Sequence, residues 1–180
     1  MERKFILTDK FVINSFGIKL FQIKCTKSFK YAQKGDFGGY VEKEGNLDQE
    51  NDAWVSGNAW VSGDAWVSGD ARVSGNARVF GNAWVSGNAR VSGNAWVSGN
   101  ADIENDNEHC GFDGFGSCNR HTHAYMTKEK KVEIICGCFR GSIEEFEKKV
   151  EETHSGTVYE KQYKSIINVI KIKFGLTDFT

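Results

Sequence analysis

Residues 53–106 read AWVSGN (53–58), AWVSGD (59–64), AWVSGD (65–70), ARVSGN (71–76), ARVFGN (77–82), AWVSGN (83–88), ARVSGN (89–94), AWVSGN (95–100) and ADIEND (101–106). Nine hexapeptides this alike mark a repeat architecture whose units are stable only against their neighbours. Side chains two apart on a strand share a face, so each Ala (Ala53 to Ala101) lies on the same side as the branched residue that follows it (Val55 to Val97, then Ile103). That side is the candidate core. The residue between them and the Ser after the Val point the other way, and Gly-Asn or Gly-Asp supplies the backbone freedom for a sharp corner. A helix is excluded, because a Gly every sixth position would cost about 1 kcal/mol each time. Antiparallel hairpins of three-residue strands would build a ribbon with little core. Stacked parallel coils bury the Val column continuously.

The Ala-x-Val-x-Gly-Asn/Asp units resemble the hexapeptide repeat of left-handed parallel β-helices, in which three units make one triangular coil. Lys34-Gly35-Asp36-Phe37-Gly38-Gly39-Tyr40-Val41, followed by Asn46-Leu47, is similar to the segment that introduces such repeats in a group of bacterial and phage-encoded proteins labelled as acyltransferases. Cys136 to Val150 resembles the tail of the phage members. The resemblance implies a mainly β fold: a short left-handed parallel β-helix of about three coils, given nine hexapeptides, with an N-terminal β cap and a C-terminal ββαα unit. It also implies a homo-oligomer, a trimer first.

Three regions are expected: a cap over residues 1–40, the hexapeptide β-helix over 41–106 and a C-terminal α+β unit over 107–180. Lys4 to Thr26 alternates as a hairpin around Asn14-Ser15-Phe16-Gly17, which would cover the apolar solenoid end. Glu104 to Gly116 is polar and Gly-rich and reads as a connection. His121 to Thr127 and Lys131 to Ile135 read as a second hairpin. Ser142 and Glu145 have capping-box spacing ahead of Ile143, Phe146 and Val150 on one helical face, and a second helix is expected from about Tyr159 to Phe174.

A formal charge of -1 gives no basic excess for general nucleic-acid binding. The absence of Pro leaves the corners to Gly-Asn/Asp chemistry. No apolar run of signal or membrane-spanning length follows Met1, so a soluble, cytoplasmic protein is expected, in the host cell if phage-encoded. The five Cys are expected as thiols.

Residues eighteen apart become vertical neighbours roughly 4.8 Å apart if three units make a coil. The outward columns are then Trp54-Arg72-Arg90, Trp60-Arg78-Trp96 and Trp66-Trp84-Asp102. The middle one sets a guanidinium between two indoles, and Trp and Arg are also the residues enriched in interface hot spots. In Gly111 to Arg120, the backbone of Gly114 and Gly116, the Ser117 hydroxyl and the Arg120 fork are candidate anion ligands, and Trp60, Arg78 and Trp96 are candidate ligand-stacking residues. The alternative reading of 111–120 is a plain connection. Cys118, His121, Cys136 and Cys138 are candidate zinc ligands, although the paired CxxC spacing is missing, so no metal or other cofactor is expected. If the chain is an acyltransferase, as the family label implies, His109, His121 or His123 must act as base from outside the repeats, which contain no His.

The expected function is therefore non-catalytic: a phage or prophage accessory protein, an oligomeric binder that sequesters a nucleotide-like anion in counter-defence. The alternatives are a hexapeptide-repeat acyltransferase and a structural or protein-interaction scaffold.

Overall fold

Each hexapeptide folds into a two-residue strand and a turn, from β4 (Trp54–Val55) to β12 (Asp102–Ile103). Strands eighteen residues apart pair in parallel, Trp54 with Arg72 and then Arg72 with Arg90, so three hexapeptides close one turn of a solenoid. The backbone of adjacent turns is laddered: Trp54 N donates to Ala71 O at 3.0 Å and Ser56 N to Val73 O at 2.9 Å. At the corner Ala59 N donates back to Ser56 O at 3.3 Å. That four-residue turn needs Gly57 in the left-handed region, at φ +65°. The Val column and Ile103 are fully buried, and no Ala of the column exceeds 3 % exposure. The computed structural model, which describes residues 3–176, is thus mainly β, a β-solenoid of about four turns followed by two C-terminal helices. The chain divides into two compact units at Asp106/Asn107.

The nine hexapeptides account for about three of those turns; the lead-in supplies the rest. Strand β3 (Phe37–Val41) pairs in parallel with Trp60–Val61, and Leu47 bridges Val67. These residues reach the same geometry with other chemistry. A Cβ on Gly38 would lie 2.5 Å from Ile23 Cγ1, and one on Gly39 2.5 Å from the Ala59 carbonyl oxygen, so only glycines let β3 approach. Asn46, fully buried, donates from Nδ2 to Gly63 O (3.0 Å) and Ala65 O (2.8 Å), standing in for a backbone rung.

The N-terminal hairpin is β1 (Phe5–Ile13) and β2 (Lys19–Cys25), antiparallel to each other, with β2 antiparallel to β3. One solenoid face is therefore a six-stranded sheet that changes from antiparallel to parallel at β3. Phe5, Leu20 and Ile23 fill the space above the first turn. Lys4, 4 % exposed, points its ammonium at the carbonyls of Asn51 and Ala53, the latter at 2.9 Å. Burial lowers its pKa to about 8.

Outward aromatic columns end differently on each face. Trp54 is covered edge-on by Phe29 (5.4 Å between centroids). Trp60 packs on Phe80 (5.7 Å), which in turn meets Phe16 at the hairpin turn (5.8 Å). Phe80 is the one Phe among the repeat serines, and this contact is its reason. Arg78 lies over both Trp60 and Trp96, with Cζ 5.9 and 4.8 Å from the ring centroids. Trp66 and Trp84 meet edge to face at 6.1 Å and stay 40 % and 46 % exposed.

In the second unit the expected hairpin is the centre of a four-stranded antiparallel meander: β13 (His109–Phe115), β14 (Arg120–Met126), β15 (Val132–Cys136) and β16 (Phe139–Gly141). Most of the stretch read as a Gly-rich connection is thus an outer strand. Two helices follow, α1 (Ile143–His154) and α2 (Val158–Lys173). Ser142 caps α1, accepting from Glu145 N while the Glu145 carboxylate accepts from Ser142 N. Phe146 and Val150 of α1 and Tyr163, Ile166, Ile167 and Ile170 of α2 pack with Ala124, Ile134 and Cys136 in one core. Among the described residues no helix is long and apolar enough to cross a membrane.

Candidate functional site

The turn between β13 and β14, the turn between β15 and β16, and the facing sides of α1 and α2 enclose a recess of about 270 Å³. Its polar wall holds Ser117, Arg120, Lys149 and His154, and its floor includes Phe139, Phe146 and Val150. No carboxylate lines it.

Arg120 is held there by a glycine. A Cβ on Gly137 (φ +60°) would lie 2.7 Å from Arg120 Cδ and closer still to Nη1, so the side chain runs across the β15–β16 turn. A hydrogen bond to Cys138, with Cys118 nearby, raises its pKa further above the ordinary arginine range. Lys149 is exposed and makes a long contact, 3.5 Å, with the Glu152 carboxylate. His154 stacks on Tyr163 at 5.5 Å and 28°. The Tyr163 hydroxyl lies 3.7 Å from Cys136 Sγ, and burial first, then Cys136, pushes its pKa above the usual phenol value. An apolar floor under a wall of cations and hydroxyls accepts an anion with an apolar body, the common construction of small-molecule sites.

Of the residues singled out in 111–120, Ser117 and Arg120 meet in this recess. Gly114 has φ +80° and lies at the irregularity in the β13–β14 pairing. The Gly116 amide donates to Gln162 Oε1 at 2.9 Å, and a Cβ there would overlap the Tyr163 hydroxyl, so this glycine seats α2 against the turn. Trp60, Arg78 and Trp96 form their column in the other unit, with Arg78 engaged by both indoles. Lys149, Thr153, His154 and Tyr163 were not singled out from sequence. The one available signal was that Lys149 and Thr153 flank the buried Phe146–Val150 stripe one helical turn apart.

The candidate zinc ligands separate. Cys118, Cys136 and Cys138 line the recess, whereas His121 is paired through Nδ1 to Asp113 Oδ1 at 2.8 Å. His121 lies on the opposite side of β14 from Thr122, whose hydroxyl meets Cys136 Sγ at 3.3 Å. Among the described residues no group of three or more His, Cys, Asp or Glu can hold a metal ion, and the five cysteines are free thiols. The three candidate bases share the His121 side of the sheet, with His109 Nδ1 3.1 Å from His123 Nε2. Gly111 makes room for the His121 ring: a Cβ there would lie 2.7 Å from His121 Cε1 and 2.9 Å from Nε2. That Nε2 is buried without a hydrogen-bond partner.

Comparison with known proteins bears on the repeats. No curated protein matches the chain. A family model described as the YdcK beta solenoid repeat matches residues 53–69, 71–87 and 83–99. It makes no reference to hexapeptides or to acyl transfer, and the likeness is one of β-solenoid repeats, consistent with a scaffold or binding protein.

Proposed function

We propose that the protein is a non-catalytic binding protein: the solenoid is a rigid scaffold, and the C-terminal unit sequesters a small anion in the recess at Ser117 and Arg120. The carrying observation is the convergence of Arg120, Lys149 and His154 on one recess with no carboxylate in its lining. At about 270 Å³ the recess is at the small end of ligand sites. It takes the phosphate or carboxylate end of a ligand and an attached ring, so a nucleotide-like ligand keeps its remainder outside. A phage-encoded protein of this kind serves counter-defence by holding a signalling nucleotide out of reach. Self-association, a trimer first, fits the exposed Trp66–Trp84 pair, which offers two large indoles at the surface.

Acyl transfer has one observation in its favour, the Asp113–His121 pair, which orients an imidazole as a base requires. Against it, His121 Nε2 lies over Gly111 and is buried, so no acceptor hydroxyl reaches the atom that would take its proton. The binding reading is preferred for that reason. Titration calorimetry with cyclic and linear nucleotides and phenyl phosphate tests it. Stoichiometric binding of an unchanged ligand, weakened about 10–100-fold by Arg120→Ala, is expected for loss of a charge-assisted hydrogen bond. Multiple turnover of an acyl donor in a free-thiol assay, lost in His121→Ala, would establish the enzyme instead.

A further inference from the structure

The near-identity of the repeats makes each outward position a control for the others. Where Arg replaces Trp at position 78, its guanidinium is sandwiched between Trp60 and Trp96. Positions 72 and 90 also carry Arg, in register on adjacent strands of another face. Both are exposed, and among the described residues no carboxylate makes an ion pair with either. At the backbone, Asp106 Oδ1 accepts from Arg90 N at 2.7 Å. Like charges in register on neighbouring strands disfavour the pairing. Two guanidiniums one rung apart therefore leave a concentration of positive charge with no direct side-chain ion pair to either arginine among the described residues.

Arg72 also forms the edge of a recess of about 470 Å³, walled by Lys30, Tyr31, Asp36, Phe37, Trp54 and Ser56. The Tyr31 ring carries two cations, Lys30 Nζ and Arg72 Cζ, each 5.0 Å from its centroid. Lys30 is shared with Asp70 at 2.9 Å, and Asp36 is turned toward Gln33 N at 2.8 Å. At the rim, Phe37 is 60 % exposed and offers ring surface. Forked cations, a hydroxyl and open aromatic surface in one concavity match a phosphate monoester attached to a planar ring.

We infer that the solenoid carries its own anion site, in which Arg72, supported by Arg90 and Lys30, binds the phosphate of a nucleoside monophosphate whose ring rests on Phe37 and Tyr31. The site lies wholly within the first unit and shares no residue with the recess at Arg120.

The test uses the full-length Arg120→Ala protein, so that the other recess does not contribute, with adenosine 5′-monophosphate, adenosine and inorganic phosphate as probes in titration calorimetry. The monophosphate is expected to bind one per chain. Adding Arg72→Ala should weaken it about 10–100-fold, and Arg90→Ala should weaken it less. Ser56→Asp, which sets a carboxylate in the recess without touching the core, should weaken it comparably, which guards against a folding defect in the arginine variant. Adenosine and inorganic phosphate should each bind at least about tenfold more weakly than the monophosphate. No binding to the Arg120→Ala protein, or unchanged binding after both Arg72→Ala and Ser56→Asp, overturns the site. Equal binding of adenosine overturns the phosphate assignment, and equal binding of inorganic phosphate overturns the ring assignment.

Discussion

The two units reach stability by opposite routes. In the solenoid one solution is copied: every Val is fully buried, stacked on the branched residue eighteen places away, and the corner from each of the first eight hexapeptides is the same Gly-led turn. In the C-terminal unit each core residue is unique, with Phe146 against Tyr163 and Phe139, and Ile134 under the two helices. Copying makes the parts interchangeable and keeps contacts local, whereas a non-repeating core concentrates its energy in a few positions drawn from distant sequence. The solenoid therefore supplies regular surface, and the second unit supplies a recess.

The sharpest break in this contrast is Val79→Asp. It buries a carboxylate in a column with no partner for it, which should cost roughly 4 kcal/mol or more and melt the repeats. Ser74→Asp, on the outward side, should change thermal stability by less than about 0.5 kcal/mol. Similar melting of the two variants in circular dichroism would break the inward assignment. Truncation to Ala comes next. Val61→Ala, Val73→Ala and Val85→Ala should cost about the same as one another, near 1–2 kcal/mol, whereas Ile134→Ala, Phe146→Ala and Ile167→Ala should spread over about 2–5 kcal/mol. A wide spread among the valines would show that the copies are not equivalent.

Phe80→Ser is smaller and tests an exception to copying. It restores the Ser that seven of the nine hexapeptides carry at that position, yet should destabilise by about 0.5–1.5 kcal/mol because Trp60 and Phe16 lose the ring between them. A stabilised variant would contradict that. A pH dependence is expected at the junction of hairpin and first turn. Lys4 has a folded pKa of about 8, below its unfolded value near 10.5. Below pH 8 both states hold the proton, and the cost of the buried charge is fully present. Between 8 and 10.5 the unfolded state binds more protons, so the Lys4 contribution rises with pH. Urea titrations of wild type and Lys4→Met at pH 7 and 10 should diverge in that sense, and parallel behaviour would exclude it.

Legibility followed the same divide. Alternation and corner glycines were enough to read the inward Val column and the turns, and the resemblance to hexapeptide β-helices supplied the eighteen-residue pairing. The first turn was missed because Gly38-Gly39 and Asn46 reproduce the geometry without the hexapeptide pattern. The cover over Trp54 and the support behind Phe80 were hidden for another reason: Phe29 and Phe16 reach these rings from the N-terminal segment, and distance in sequence leaves no periodic trace. Strand β13 was obscured by Gly111, Gly114 and Gly116, residues that ordinarily signal a loop. Two of them are required by neighbours instead, the His121 ring and the Tyr163 hydroxyl. The recess combines two turns with helices some thirty residues further on, and only Ser117 and Arg120 carried a local motif that pointed to it.

The eighteen-residue pairing also sets rules for how such a chain can change length. Removing or duplicating three hexapeptides leaves every later residue on its face, and the outward columns survive. Inserting a single hexapeptide between Arg78 and Arg90 moves all that follows by one face. The residue paired eighteen places after Arg78 would then be the present Arg90, and a stacked guanidinium–indole contact would become a clash of like charges. The inward valines would be indifferent to the insertion, since every hexapeptide presents the same core. Length variants of this solenoid should accordingly grow and shrink by whole turns, with the decorated surface, and not the core, enforcing the count.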